Sequence, residues 1–212
     1  MSIKNKAKLL VKYIKTLPDF KREPLFSYKG HMGAIITDAI LQPGIDWNNV
    51  VKPRIQRILQ DFSEDNTTTK FLKLLKRLGP SEIIQWKGKE KINRLMNTVH
   101  FLKKEKIETK KDLKTWLLKE DNQKRLMNLR GIGRKTLNYF KILSGISTTA
   151  IDRHLINFIK KAGICIKTIP EAEAIIKETA KLLKVKTSIL DYSIWKYMSD
   201  KKESCRNYER KN

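Results

Sequence analysis

A glycine-containing segment between two apolar stretches is the feature that most constrains the fold of this chain. The segment is Gly131-Ile132-Gly133, and apolar residues recur at helical spacing on both sides of it, over residues 125–129 and 136–143. Glycine marks tight connections and adopts positive φ without steric cost. We therefore predict two short helices joined by a hairpin in which one or both glycines have positive φ. The backbone N–H groups at the start of the second helix would then suit an anion such as phosphate.

The net charge of the chain indicates the kind of partner that it has. Lysine and arginine number 46 and aspartate and glutamate 22, which gives a formal net charge of +24. An excess of this size creates a positive potential that favours a polyanion. A generally lysine-rich composition would explain the same charge without any function, and the excess is spread along the whole chain. The charge therefore supports nucleic-acid binding but does not locate the binding surface.

Composition and periodicity predict an all-α fold. The chain has only nine glycines and six prolines, while lysine, leucine, isoleucine and glutamate dominate. Within this pattern, Thr109-Lys-Lys-Asp112 predicts a capping box, and the polar residues 200–212 are expected to fray. Helical spacing and start and stop signals predict helices over residues 3–17, 34–41, 48–62, 70–78, 81–86, 89–104, 109–118, 122–128, 136–143, 152–163, 168–183 and 188–197.

Two cysteines, Cys165 and Cys205, limit the cofactors that the chain could hold. They do not have the ligand spacing of a zinc site or of an iron–sulfur cluster. The three histidines, His31, His100 and His154, have no ligand spacing either, so we expect no metal site made of side chains. Two cysteines are too few for a disulfide-rich secreted scaffold, and no N-terminal apolar run predicts a signal peptide or a membrane span. We therefore expect an intracellular protein of the cytoplasm or nucleoid, without membrane association.

Lys135 and Asp152 stand in two segments that together resemble a known superfamily. The segments are Leu129-Arg-Gly-Ile-Gly-Arg-Lys135 and Ile151-Asp-Arg-His154. They resemble the helix-hairpin-helix DNA glycosylases of the endonuclease III and 8-oxoguanine glycosylase type. In that superfamily the hairpin runs Leu-x-Gly-(Val/Ile)-Gly-x-Lys, and an aspartate opens the next helix. Every position of the pattern is filled here, and the resemblance extends from about Gly33 to Met198.

The resemblance implies two helical lobes that flank a DNA-binding cleft. A central lobe of residues 34–143 would end in the helix-hairpin-helix, and residues 1–33 together with 144–212 would form the second lobe. Many relatives of endonuclease III also carry a loop of four cysteines that binds an iron–sulfur cluster. This chain has only two cysteines, so we expect no iron–sulfur cluster.

The resemblance also implies the catalytic residues. The amine of Lys135 would attack C1′ of a damaged nucleotide, expel the base and form a Schiff base, after which β-elimination nicks the strand. Asp152 would stabilise the positive charge that develops on the sugar and would move protons to and from the amine. Each residue also has an ordinary reading: Lys135 as a solvated surface charge, and Asp152 as the N-cap of the following helix.

The same resemblance assigns the hairpin to the DNA backbone. Its N–H groups would bind phosphate, and its carbonyl groups could coordinate a monovalent cation, K⁺ or Na⁺, that bridges to phosphate. His154 is interpreted as a structural histidine rather than a ligand. The residues expected at the phosphate are Arg130, Gly131, Ile132, Gly133, Arg134 and Thr136.

Three further residues are candidates for the base pocket or for intercalation into the duplex. Gln42 stands in a loop comparable to that of an intercalating glutamine in endonuclease III relatives, although Pro43 and Gly44 depart from the usual residues and Gln42 could simply end a helix. Asp191 and Trp195 lie one turn apart in a segment similar to the C-terminal helix of the archaeal 8-oxoguanine glycosylases. They could bind a base edge and a ring face, or Trp195 could be a core residue. The segment Trp86–Lys89 could add a wedge or phosphate contacts, or Trp86 could also belong to the core.

Taken together, these residues predict a bifunctional base-excision-repair enzyme. We expect a DNA glycosylase with AP-lyase activity on an oxidised base in duplex DNA, foremost 8-oxoguanine, that binds its damaged duplex as a monomer. One alternative is a non-catalytic helix-hairpin-helix DNA-binding or adaptor protein, which would need neither Lys135 nor Asp152. Another is a glycosylase for oxidised or mismatched pyrimidines. A monofunctional glycosylase would place a non-amine residue at position 135.

Overall fold

A computed structural model describes the backbone of residues 1–209 and the side chains of residues 1–200. This part of the chain is all helical and contains no β strand, as the sequence predicts. Its helices are α1 (Ile3–Lys15), α2 (Met32–Leu41), α3 (Lys52–Asp61), α4 (Thr68–Leu78), α5 (Pro80–Ile84), α6 (Lys89–Lys104), α7 (Lys110–Leu117), α8 (Glu120–Met127), α9 (Arg134–Ser144), α10 (Arg153–Lys161), α11 (Ile169–Leu182) and α12 (Thr187–Glu209).

Hydroxyl side chains begin several of these helices. Ser2, Thr67 and Thr168 each accept a hydrogen bond from the backbone N–H three residues later, which satisfies a donor that has no partner inside the helix. At α7, Thr109 and Asp112 exchange side-chain and backbone hydrogen bonds, which confirms the predicted capping box.

The helix predicted over residues 48–62 is divided in two. Trp47–Val51 forms a π-helical turn in which the N–H of Val51 bonds the carbonyl of Asp46 at 3.2 Å, and α3 follows it. Pro53 explains the division, because it has no N–H for the carbonyl four residues earlier and its ring crowds that carbonyl. The wider turn before the proline accommodates this defect.

The last helix is longer than the sequence analysis predicted. The predicted end was near Tyr197, with fraying over residues 200–212, but α12 continues to Glu209. No glycine or proline follows Tyr197 to end the helix, and lysine and glutamate are good helix formers. Residues 210–212, and the side chain of Cys205, lie outside the described part of the chain.

The chain divides into two compact units. One consists of Met1–Phe26 together with the chain from Ser147 onward, and the other of Ser27–Ile146. In the first unit α1 packs on α11, and α10 and α11 pack on α12. Its core is formed by apolar residues from all four helices, among them Leu10, Phe158, Ile175 and Ile194.

The second unit is built around α2. All ten residues of α2 are buried, and helices α3, α4, α6 and α9 pack around it. A helix composed almost entirely of apolar residues is stable only in such a position. Gly33 permits this packing, because a Cβ at that position would lie 2.3 Å from the ring of Phe71. Over the described residues, no helix is both long enough and apolar enough to cross a membrane.

Candidate functional site

The predicted hairpin is present between α8 and α9. The N–H of Ile132 donates to the carbonyl of Leu129 at 3.0 Å and closes the turn, and the N–H of Leu137 donates to the carbonyl of Gly133 at 2.9 Å and begins α9. The side chain of Ile132 is buried, whereas Gly131 and Gly133 on either side of it are exposed. The isoleucine therefore anchors the hairpin in the core of the second unit and leaves the glycine backbone at the surface.

The two glycines of the hairpin have different backbone conformations. Gly131 has a φ of 85°, which favours glycine, whereas Gly133 has a φ of −93°, which any residue adopts. The expectation of positive φ therefore holds for Gly131 only. A Cβ on Gly131 would also lie 2.2 Å from Nε of Arg94, but a Cβ on Gly133 would meet open space. Of the two hairpin glycines, only Gly131 has a backbone conformation that favours glycine and a close neighbour at the Cβ position.

The start of α9 presents a polar surface. Gly133 is the N-cap residue of α9 and has no side chain that could accept a hydrogen bond from the first turn. Arg130 and Arg134 are exposed on either side of the hairpin, and Lys135, the second residue of α9, is half-buried. The side chain of Thr136 is buried, so any contact of this residue with phosphate would use its backbone. An exposed helix start with adjacent arginines has the charge and the donors that an anion requires.

Arg94 on α6 contacts this hairpin, and it was not identified from the sequence. Its guanidinium lies against Gly131 and also forms an ion pair with Glu90 at 2.6 Å, one turn earlier on α6. The contact joins residues that are far apart in the sequence, so no local pattern could have indicated it. Arg94 adds a positive charge directly beside the hairpin backbone.

Asp152 is the N-cap residue of α10 in the first unit. Its Oδ1 accepts hydrogen bonds from the N–H groups of His154 at 2.8 Å and Leu155 at 3.1 Å. The side chain is partly exposed. The capping role foreseen for Asp152 is therefore present, and its catalytic role stays a prediction.

Asp191 and Trp195 lie on α12 in the same unit as Asp152. Asp191 is buried, and its Oδ2 accepts hydrogen bonds from Oγ1 of Thr149 at 2.5 Å and from the N–H of Ala150 at 2.9 Å. The half-buried ring of Trp195 stacks on Tyr192 with centroids 5.8 Å apart and meets His154 edge-on at 6.5 Å. Asp191 thus holds the segment that leads into Asp152, and Trp195 packs beside the first turn of α10. The assignment of both residues to a base pocket stays a prediction.

Gln42 ends α2 in the second unit. It is the C-cap residue, and its N–H donates to the carbonyl of Asp38 at 3.0 Å. Its side chain is partly exposed, whereas Leu41 before it is fully buried. The position is that of a helix end, and intercalation by Gln42 stays a prediction.

A buried carboxyl group in α2 was not identified from the sequence. Oδ2 of Asp38 accepts hydrogen bonds from the hydroxyl groups of Tyr28 and Tyr139, the latter at 2.9 Å, and from the indole of Trp47 at 3.4 Å. Its Oδ1 has no hydrogen-bond partner among the residues that the structure describes. Burial raises the pKa of Asp38 to about 6, and the three hydrogen bonds oppose that rise. Burial and the Asp38 charge also raise the pKa of Tyr139 well above its usual value.

Asp38→Asn is expected to change how stability depends on pH. The folded pKa of Asp38 lies above the ordinary value of 3.8, so its stabilising contribution is complete below pH 3.8 and is lost as the pH rises to about 6. The loss amounts to on the order of 3 kcal/mol in the free energy of unfolding. Asparagine keeps an acceptor for the same donors but does not titrate. Urea unfolding at pH 4 to pH 7 should therefore show wild type losing stability relative to Asp38→Asn, and parallel curves would contradict this role of Asp38.

The fold is similar to that of a solved helix-hairpin-helix glycosylase. The structure is that of a trapped endonuclease III–DNA covalent intermediate, in its estranged-adenine complex. The TM-score is 0.54, with 18% sequence identity, and the match covers 89% of this chain and 85% of that chain. The likeness shows that this chain has the helix-hairpin-helix glycosylase fold.

Sequence comparison identifies the family of this chain. No curated protein matches the sequence. A family model matches residues 8–199, which is most of the chain. The protein therefore belongs to the family described as Domain of unknown function (DUF8548).

Proposed function

We propose that this protein is a bifunctional DNA glycosylase and AP lyase that removes an oxidised base, foremost 8-oxoguanine, from duplex DNA. One observation carries the proposal: a helix-hairpin-helix places Lys135 in the first turn of its second helix, in a chain with the fold of endonuclease III. An amine in that position is what separates a lyase from a protein that only binds DNA.

Double-stranded DNA fits the surface of the hairpin. Gly131 and Gly133 leave the backbone exposed, while Arg94, Arg130 and Arg134 supply positive charge around it. Phosphate contacts of this kind position a protein on DNA without reading its sequence. The solved endonuclease III structure holds DNA, and we propose the same class of partner for this chain. The protein would bind the damaged duplex as a monomer, inside the cell.

The reaction requires a nucleophile and a group that supports the charge on the sugar. The neutral Lys135 amine would form a bond to C1′ as the bond from C1′ to the base breaks and its electron pair leaves with the base. Loss of the amine proton and opening of the sugar ring would give an imine, and removal of a proton from C2′ would then expel the 3′ phosphate. The Asp152 carboxylate would stabilise the cationic sugar and exchange the protons.

A monovalent cation at the hairpin remains part of the proposal. The carbonyl groups of the tight turn are hard oxygen donors of the kind that K⁺ and Na⁺ take. The carbonyl of Leu129 also accepts the N–H of Ile132, which fixes its direction. Bound there, the cation would add positive charge for a phosphate. We propose no other cofactor and no iron–sulfur cluster.

The proposal of 8-oxoguanine depends on the α12 residues. Trp195 offers a half-buried ring that is oriented by Tyr192 and His154, and we propose that a flat purine stacks on the part of the ring that stays accessible. Asp191 would read the edge of the base or, through Thr149 and Ala150, hold the wall of the pocket. An oxidised or mismatched pyrimidine is the alternative substrate.

A panel of duplexes, each with one lesion or one abasic site, tests the proposal. With borohydride present, wild-type protein is expected to form a covalent adduct with abasic and 8-oxoguanine duplexes, because the imine is reducible. Excision of 8-oxoguanine should be faster than that of thymine glycol. The reverse order would favour the pyrimidine alternative. Tight duplex binding without an adduct on any member of the panel would favour the non-catalytic adaptor.

A further inference from the structure

The amine of Lys91 is turned into the protein at the end of α2. Lys91 lies near the start of α6, and its Nζ donates hydrogen bonds to the carbonyl groups of Leu41 at 2.5 Å, Pro43 at 3.0 Å and Ile40 at 3.3 Å. Carbonyl groups at the end of a helix have no partner within the helix and carry partial negative charge. One amine thus satisfies the last turn of α2 and the first part of the loop that follows it.

This position has a cost in solvation. Burial lowers the pKa of Lys91 to about 8, and the neighbouring charge of Arg94 contributes to the decrease. At pH 7 the amine is still mainly protonated, because its pKa lies above that pH. A solvated lysine on the outer face of α6 would avoid this penalty, so the three hydrogen bonds to the end of α2 and the following loop must offset it.

The same amine also contacts the next loop. Nζ of Lys91 lies 5.7 Å from the ring centroid of Trp86, and the guanidinium of Arg54 lies 5.7 Å from the same centroid. Arg54 donates hydrogen bonds to the carbonyl groups of Val50 at 2.5 Å and Gln85 at 3.0 Å. The loop between α5 and α6 is therefore fixed to the end of α2 through Lys91.

The first two turns of α6 connect the loop that follows α2 to the hairpin. Lys91 holds residues 41–43, and Arg94, three residues later, lies against Gly131. Two segments that are predicted to contact DNA, the loop carrying Gln42 and the hairpin, are thus tied to one helix within the second unit. Their separation is set by α6 rather than by the flexible ends of loops.

We propose that Lys91 is a positioning residue that holds the loop carrying Gln42 in the conformation in which it meets the duplex. This inference rests on the proposed function for its consequence in catalysis. A loop that is ordered before binding loses less conformational freedom when it enters DNA, so base displacement becomes faster. Lys91 acts through Gln42 and does not itself touch the base or the sugar.

Hydrogen exchange of Lys91→Met tests the structural part. The N–H of Gln42 donates to the carbonyl of Asp38 at 3.0 Å, and the N–H of Ile45 donates to the carbonyl of Gln42 at 3.1 Å. Without the amine, the amides of residues 42 and 45 should exchange about tenfold faster. Lys104→Met is the matched control, since it removes an exposed lysine from the last turn of the same helix. If Lys91→Met does not fold, Lys91→Arg, which keeps a cationic donor, should show a smaller increase.

Binding and excision test the functional part. In wild type, an undamaged duplex should slow exchange at residues 42–45, and Lys91→Met should lose this protection. Excision of 8-oxoguanine by Lys91→Met should fall about tenfold, whereas trapping on a preformed abasic duplex should fall less, because no stacked base has to leave. Exchange and excision equal to those of Lys104→Met would overturn the role of Lys91 and leave the proposed function intact. Loop protection that depends on Lys91 in a protein inactive on every lesion would instead overturn only the proposed glycosylase.

Discussion

Lys135→Gln is expected to abolish the borohydride-dependent adduct with abasic and 8-oxoguanine duplexes. The amide nitrogen of glutamine is not nucleophilic, so neither the covalent bond to C1′ nor the imine can form. Duplex affinity should stay within about threefold of wild type, because the phosphate contacts of the hairpin backbone remain and only one charge of a basic surface is lost. Gel analysis after borohydride treatment measures the adduct, and fluorescence anisotropy at fixed salt measures the affinity.

Lys141→Gln is the matched control for this experiment. Lys141 lies on the same helix, α9, and its Nζ donates to Oε1 of Gln123 at 2.8 Å. The variant loses the same charge from the last turn of the same helix and should keep the adduct. An adduct of wild-type yield with Lys135→Gln would show that another amine is the nucleophile. Loss of the adduct in both variants would indicate damage to α9 rather than to the chemistry.

Local signals in the sequence were sufficient to predict most of the helices. Apolar spacing, together with helix starts such as Thr109 and Thr168, predicted helices close to those observed. These signals act over one or two turns, so they can be read without knowing the tertiary structure. The hairpin was predicted for the same reason, because its glycines and the flanking apolar residues are contiguous.

The features that were missed depend on contacts between distant parts of the chain or on competing local effects. The π-helical turn before α3 arises from a proline inside a strongly helical stretch, where the position of the defect depends on packing. The guanidinium of Arg94 on α6 contacts Gly131 of the hairpin, and the amine of Lys91 bonds carbonyl groups at the end of α2. In the sequence, Asp38 is a single acidic residue in a mostly apolar helix. Its hydrogen-bond donors Tyr28 and Tyr139 are brought to it only by the tertiary fold. Buried polar groups of this kind need hydrogen-bond partners, and only the tertiary structure shows which residues supply them.

Local signals in the sequence do not fix the exact residues at which each compact unit begins and ends. The predicted central lobe runs from Ala34 to Leu143, the edges of predicted helices, and the corresponding compact unit comprises Ser27–Ile146. Loop residues on either side of a helix join whichever unit they contact most, and that is a tertiary property. Five assignments concern chemistry rather than fold, and they stay predictions until activity is assayed: Lys135, Asp152, Gln42, Asp191 and Trp195.

Asp152→Asn is expected to lower the single-turnover rate of base excision by on the order of a hundredfold or more. Asparagine removes the negative charge and the ability to accept and release a proton, but its side-chain oxygen can still accept hydrogen bonds from the N–H groups of His154 and Leu155. Asparagine is as good an N-cap residue as aspartate, so the free energy of unfolding should change by less than about 1 kcal/mol. The experiment therefore separates the two roles that one carboxylate combines.

Asp152→Ala provides the comparison, because alanine removes both the charge and the cap. We expect it to lose activity as Asp152→Asn does, and in addition to lose about 1 kcal/mol of stability. Rates are to be measured at equal folded fraction, with 8-oxoguanine and abasic duplexes at saturating protein. If Asp152→Asn excises at the wild-type rate while Asp152→Ala is only less stable, Asp152 serves α10 as a cap and the charge on the sugar must be stabilised by another group.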